Sequence, residues 1–193
     1  MAGRWRSDRS GVLASGPCLR AGGGTPRKQQ GLVRLMEIFT ATKDGNEDRV
    51  KHCIARNVNV DGYKDDDGVT ALILASFNGE TAIVKLLLQA EADMETRAKF
   101  NSTALMYASD NGHIAILQLL LKSGANKVAK TEYGVTALIL ASERGHATAA
   151  HILLNARADK EAATDTGHAA LILAAENGHT ATVKLLLEAG AEK

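Results

Sequence analysis

This chain has little that is aromatic, crosslinkable or conformationally stiff. Of its 193 residues, 4% are aromatic, two are cysteine and two are proline. Cys18 and Cys53 are too few for the disulfide framework of a small secreted scaffold. They point to a reducing compartment, with the cytoplasm as the expected location. Scarce aromatics leave leucine and alanine to carry the packing, which suits thin helices in close contact. No uninterrupted apolar run approaches the ~20 residues of a membrane-spanning helix; the richest stretches, such as 71–76, are short.

Nor does charge of one sign dominate, the net charge being +1, but the distribution is uneven. Residues 1–34 hold Arg4, Arg6, Arg9, Arg20, Arg27, Lys28 and Arg34 against Asp8 alone, a charge of +6 that leaves −5 for the remainder. A mildly acidic body lacks the clustered basic face that a nucleic-acid surface needs. Residues 1–30 show no apolar periodicity and are rich in Gly, Ser and Arg. Such a stretch cannot bury enough surface to offset its ordering entropy, so residues 1–31 are read as a disordered basic tail. An Arg-rich, acid-poor start also resembles an organelle transit peptide. Asp8 and the many glycines make a poor amphipathic helix, however, and the flexible tail is the preferred reading.

What the chain does have is a period. Thr70-Ala71-Leu72, Thr103-Ala104-Leu105, Thr136-Ala137-Leu138 and Ala169-Ala170-Leu171 follow one another at steps of 33 residues. Gly79, Gly112, Gly145 and Gly178 keep the same step, as do Leu87, Leu120, Leu153 and Leu186. A period of this size means one supersecondary unit stacked on copies of itself, because a single unit cannot bury its apolar face alone. Within each unit the threonine is placed to cap a short first helix, and the glycine to end it in a left-handed turn. A second helix then carries its apolar residues on one side, as in Ile83, Val84, Leu87 and Leu88. The polar return segments show no sustained period of two and read as hairpin-like loops. Full repeats fall at about 65–98, 99–131, 132–164 and 165–193. A degenerate unit over 32–64, richer in charge, fits a capping repeat whose outer side faces water. At the other end, Val183, Leu185, Leu186 and Leu187 keep the internal pattern, so apolar surface is expected to stay uncovered there. That is read as a piece of a longer array, with self-association through this end as the rival.

Thr-x-Leu-x-x-Ala, Gly-His, a leucine run and Gly-Ala, recurring together, resemble the ankyrin repeat. The resemblance covers about residues 33–193 and implies an all-α solenoid of stacked helix–turn–helix units with hairpin-like loops. Departures from the pattern locate expected weak points. The family's T-P-L-H is here T-A-L-I or T-A-L-M, which removes a proline that pre-sets the first helical turn. Glu91 and Arg157 stand where Gly124 and Gly190 stand in other units, so a left-handed turn there costs about 1–2 kcal/mol each. The repeat at 132–164 has Ala149-Ala150 where its neighbours place larger residues, and is expected to be the least stable.

Reactive-looking residues fit structural roles. His113, His146 and His179 recur with the repeat. Equivalent positions in stacked helices lie about 8–10 Å apart, too far for a shared zinc ion. They are expected to tie the turn between helices. Asp65-Asp66-Asp67 lacks the glycine and glutamate spacing of a calcium loop. Asn101-Ser102-Thr103 matches a glycosylation sequon, but Thr103 is the repeat's own expected cap. Cys53, on an amphipathic helix, is read as a small core residue. No nucleophile–base set, phosphate loop or cofactor motif stands out. The chain is read as non-enzymatic, with no cofactor and no metal.

What remains is surface. In the family it resembles, partners meet the loop tips and the exposed end of the first helix. Carried over position by position, that implies Asp66, Asp67, Val69, Phe77 and Asn78 in the first full repeat and Lys99, Phe100, Ser102, Asp110 and Asn111 in the second. The third supplies Glu132, Tyr133, Val135, Glu143 and Arg144; the fourth supplies Asp165, Thr166, His168, Glu176 and Asn177. Binding energy concentrates in buried aromatics and arginine, which singles out a Phe77–Phe100–Tyr133 track with Arg144. The expected function is a protein–protein interaction module whose partner the sequence does not name. The alternative is a regulatory segment of a larger enzyme or channel.

Overall fold

A computed structural model describes residues 26–191 of the chain, with side chains from Val33 onward. Ten helices follow in pairs among these residues: α1 (Pro26–Lys43) with α2 (Glu47–Ala55), α3 (Ala71–Asn78) with α4 (Thr81–Gln89), α5 (Ala104–Asp110) with α6 (Ile114–Lys122), α7 (Ala137–Glu143) with α8 (Ala147–Asn155), and α9 (Ala170–Glu176) with α10 (Thr180–Glu188). The first helices of the pairs stack in one layer in chain order, and the second helices in another. The described residues contain no strand, only an isolated bridge between Ala163 and Ala169. The all-α stacked architecture expected from the period is the architecture observed.

Small residues make the stacking close. Ala75, Ala108, Ala141 and Ala174 are fully buried in the first-helix layer, and Leu87, Leu120 and Leu153 fill the space between layers. Where the family pattern places a histidine in the first turn, Ile73, Met106 and Ile139 are buried instead. Apolar contact thus replaces the polar one. Cys53 is buried in α2, as its helical spacing implies. In the last pair the same pattern lies open: Ile172 is 38% exposed and Leu187 41%.

Two expectations need correction. The boundary of the basic tail, placed at residue 31, falls too late, because α1 already begins at Pro26. Its early turns lack the apolar spacing by which a helix is recognised, which begins only at Leu32. The rest of that expected tail, residues 1–25, lies outside the described residues. The second correction concerns Thr103. Thr70 and Thr136 cap their helices, accepting from the Ile73 and Ile139 amides at 3.4 and 3.3 Å. The Thr103 hydroxyl makes no such bond and is buried without a partner. The two bonds that form are already long, and α5 follows a loop whose tip turns differently from the others.

Candidate functional site

Each return loop closes on itself with the same backbone bond. The amides of Asp65, Ala98, Thr131 and Thr164 donate to the carbonyls of Val69, Ser102, Val135 and His168 at 3.2, 2.9, 2.9 and 3.1 Å. A residue with positive φ turns each tip: Gly68, Asn101, Gly134 and Gly167. In three loops a side chain braces this turn from within. Asp65 Oδ1 accepts from the Asp67 and Val69 amides, Thr131 Oγ1 from those of Tyr133 and Val135, and Thr164 Oγ1 from that of His168. The fourth loop has Ala98 at that position and no brace. There Phe100 itself turns left-handed, at φ 60°, beside Asn101 at φ 61°. A side chain with a Cβ pays roughly 1–2 kcal/mol for that conformation.

The tips are joined into a row. The Lys99 amide donates to the Asp67 carbonyl at 2.7 Å, Glu132 to Phe100 at 3.0 Å, and Asp165 to Tyr133 at 3.0 Å. This continuous ladder places residues of the same register side by side. It brings Phe100 and Tyr133 together, with ring centroids 5.7 Å apart, and leaves them 39% and 42% exposed. Lys99 spans the neighbouring tip, its ammonium 3.3 Å from Asp67 and 5.5 Å from the centre of the Phe100 ring.

Behind the row lie the ends of the first helices. Here three successive turns are pinned by the following pair: His113 Nε2 lies 3.1 Å from the Phe77 carbonyl, His146 3.1 Å from that of Asp110, and His179 2.9 Å from that of Glu143. The histidines therefore tie turns together across repeats. A Cβ on Gly79, Gly112 or Gly145 would stand 2.5–2.8 Å from these rings. No group of three or more potential metal ligands occurs among the described residues. Arg144 reaches back one repeat to Asp110, with Nε to Oδ1 at 2.6 Å. That hydrogen bond holds the Arg144 guanidinium above its already high ordinary pKa.

The residues picked from the sequence divide accordingly. Asp66, Asn78, Lys99, Phe100, Glu132, Tyr133, Asp165, Thr166, Glu176 and Asn177 are exposed; Asp67, Asn111, Glu143 and His168 are partly so. Val69, Ser102 and Val135 are buried. They close the base of their loops, and both valines belong to the core. The expected aromatic track is also different in kind. Phe77 is half-buried and packs edge-on against Tyr107, 5.9 Å away, so Phe100 and Tyr133 form a separate pair. Arg144 is committed to Asp110 rather than free. Tyr107 was not picked from the sequence; burial, together with the charges of Asp67, Asp65 and Asp110, pushes its hydroxyl pKa up. Its distinguishing signal is that Tyr107 stands where the other full repeats have Leu74, Leu140 and Leu173.

Away from this face, a depression of about 480 Å³ is lined by Glu37, Asn46, Arg49, His52, Cys53 and Arg56, among others. Its arginines are engaged, Arg49 with Asp44 at 2.9 Å and Arg56 with Glu37 at 3.7 Å. Burial pushes the Cys53 thiol pKa up, away from the reactive thiolate.

Helix pairs in two stacked layers, with three successive turns pinned by the next pair and the loop tips bonded to their neighbours, define an α-solenoid built from one repeated unit. A family model for ankyrin repeats, three copies long, matches residues 38–131 and again residues 127–193. The chain belongs to the ankyrin repeat family, whose repeats are generally protein–protein interaction modules and whose domains are typically non-catalytic. No curated protein sequence matches it. No helix among the described residues is long and apolar enough to cross a membrane.

Proposed function

We propose that the chain binds a partner protein through the face made by its loop tips and first-helix ends, and carries out no chemistry of its own. The observation that carries this reading is the Phe100–Tyr133 pair, two rings held at the tips of adjacent loops with much of their surface in water. Exposed aromatics on a rigid scaffold are the side chains in which interface energy concentrates. The rest of the surface supports the same choice. Register positions that repeat unchanged serve the fold, whereas the tip positions differ in every repeat: Asp67, Phe100, Tyr133 and Thr166. A reducing compartment such as the cytoplasm suits the unpaired Cys53.

Site-specific photocrosslinking tests the face directly. A photoreactive side chain at position 132, beside the aromatic pair, is expected to yield adducts with a partner polypeptide in cells. The same group in place of exposed Gln118 on α6 is expected to yield none. Adducts formed equally from both positions, or from Gln118 alone, contradict the reading.

A further inference from the structure

We infer that the segment held on this face is cationic: an extended stretch of a partner protein that sets a lysine or arginine beside an apolar residue. The inference rests on the proposed binding face and specifies its occupant. The apolar contact is supplied by Phe100 and Tyr133. The charge is supplied by the registers on either side. At the loop tips, Glu132 precedes Tyr133 in the chain, and Asp165 is bonded to it through the backbone at 3.0 Å. Both side chains are exposed, and neither carboxylate has an ion-pair partner among the described residues. At the helix ends the same repeats contribute Glu143 and Glu176.

Two cations on this face are already engaged within the fold. Lys99 is bound to Asp67 and Arg144 to Asp110. A basic register does run along the loops, through Lys64, Arg97 and Lys130, but it stops at Ala163. Lys130, the last of that register, lies three residues before Tyr133, and the next loop has Ala163 in its place, so the face turns acidic toward Asp165. An aromatic ring face attracts an ammonium or guanidinium group, and Lys99 over Phe100 shows a cation occupying that position on this pair. A second cation on the Tyr133 side meets a ring flanked by two carboxylates, and an apolar neighbour in the same segment covers the exposed ring edges. An acidic segment, or a polyanion, meets repulsion at the same place.

The test is a displayed library of random linear peptides, selected on the full chain. Affinities of the enriched peptides are then measured on the wild type, on Tyr133→Ala, on Phe100→Ala, and on Glu132→Lys combined with Asp165→Lys. Lys- or Arg-containing peptides with an adjacent apolar residue are expected. Charge reversal is expected to weaken them about tenfold or more, added salt is expected to weaken them further, and the unfolding midpoint should stay unchanged. Enriched peptides that are acidic or uncharged, or that bind the charge-reversed chain undiminished, overturn the inference. If such peptides still lose affinity on Tyr133→Ala, the binding face stands and only its charge preference falls. Peptides indifferent to both Tyr133→Ala and Phe100→Ala, or a selection that enriches nothing, remove both.

Discussion

Glu91 and Arg157 hold left-handed backbone at φ 59° and 62°, in the turn position where Gly124 and Gly190 stand in alternate repeats. The turn is needed in every unit, so geometry is kept and the side chain bears the strain. Replacing either by glycine removes about 1–2 kcal/mol of strain, against the greater entropy glycine loses on folding. Glu91→Gly and Arg157→Gly are each expected to gain about 0.5–1 kcal/mol, read as a higher midpoint in urea unfolding. Asp65 makes a different prediction. Burial, opposed by its bonds to the Val69 and Asp67 amides, holds its carboxyl above the ordinary aspartate range. The folded chain therefore binds this proton more readily than the unfolded chain. The stability tied to it is complete below the ordinary aspartate pKa and is lost as pH rises through the raised one. Asparagine keeps the accepting oxygen without the charge. Asp65→Asn is expected to become more stable relative to the wild type as pH rises from the acid range to neutrality, measured as the midpoint difference between the two. A difference that shrinks over that span contradicts this account of the loop.

Among the three inner second helices, α8 buries the smallest side chains. Ala149 and Ala150 are fully buried in α8, at positions where α4 places Ile83 and Val84 and α6 places Ile116 and Leu117. Each missing methylene forfeits roughly 0.8 kcal/mol of burial. The pair is also held by contacts from its neighbours: Arg144 to Asp110 behind it, and His179 to the Glu143 carbonyl ahead. Local opening in a repeat array reflects the unit's own stability plus its interfaces. Amide hydrogen exchange is expected to show α8 less protected than α4 and α6; α8 as the best-protected second helix contradicts this. Such element-level differences were legible because the repeat supplies its own reference, each substitution standing out against three equivalent positions. The same comparison gave the left-handed turns at Glu91 and Arg157. It failed where a side chain's role depends on a neighbour out of register. Ala98 lacks the brace that Asp65, Thr131 and Thr164 supply, and Phe100 in the same loop is left-handed, yet an alanine in a polar loop carries no obvious signal. Val69 and Val135 look like loop residues in the sequence and belong to the core, because the chain turns inward immediately after the tip.

Across the whole molecule, repetition separates structure from recognition. The backbone ladder along the tips, the histidine pins behind them and the alanine stack beneath are the same in successive repeats, and together they form a stiff, nearly featureless frame. Specificity has to come from positions the frame leaves free. The architecture was readable from the 33-residue step, since many positions recur together at it. The face was readable in part. The exposed tip residues were found by register, but the pairing of Phe100 with Tyr133, of Phe77 with Tyr107 and of Arg144 with Asp110 needed the spatial stacking of loops and helix ends. The central claim is that binding occurs on the loop-tip row and not on the outer helices. Nuclear magnetic resonance mapping with a selected peptide measures this most directly, by following amide shifts of the isotope-labelled chain during titration. The account predicts that shifts concentrate at Lys99, Phe100, Glu132, Tyr133 and Asp165. Shifts confined to α4, α6 and α8, with the tips unchanged, would contradict it.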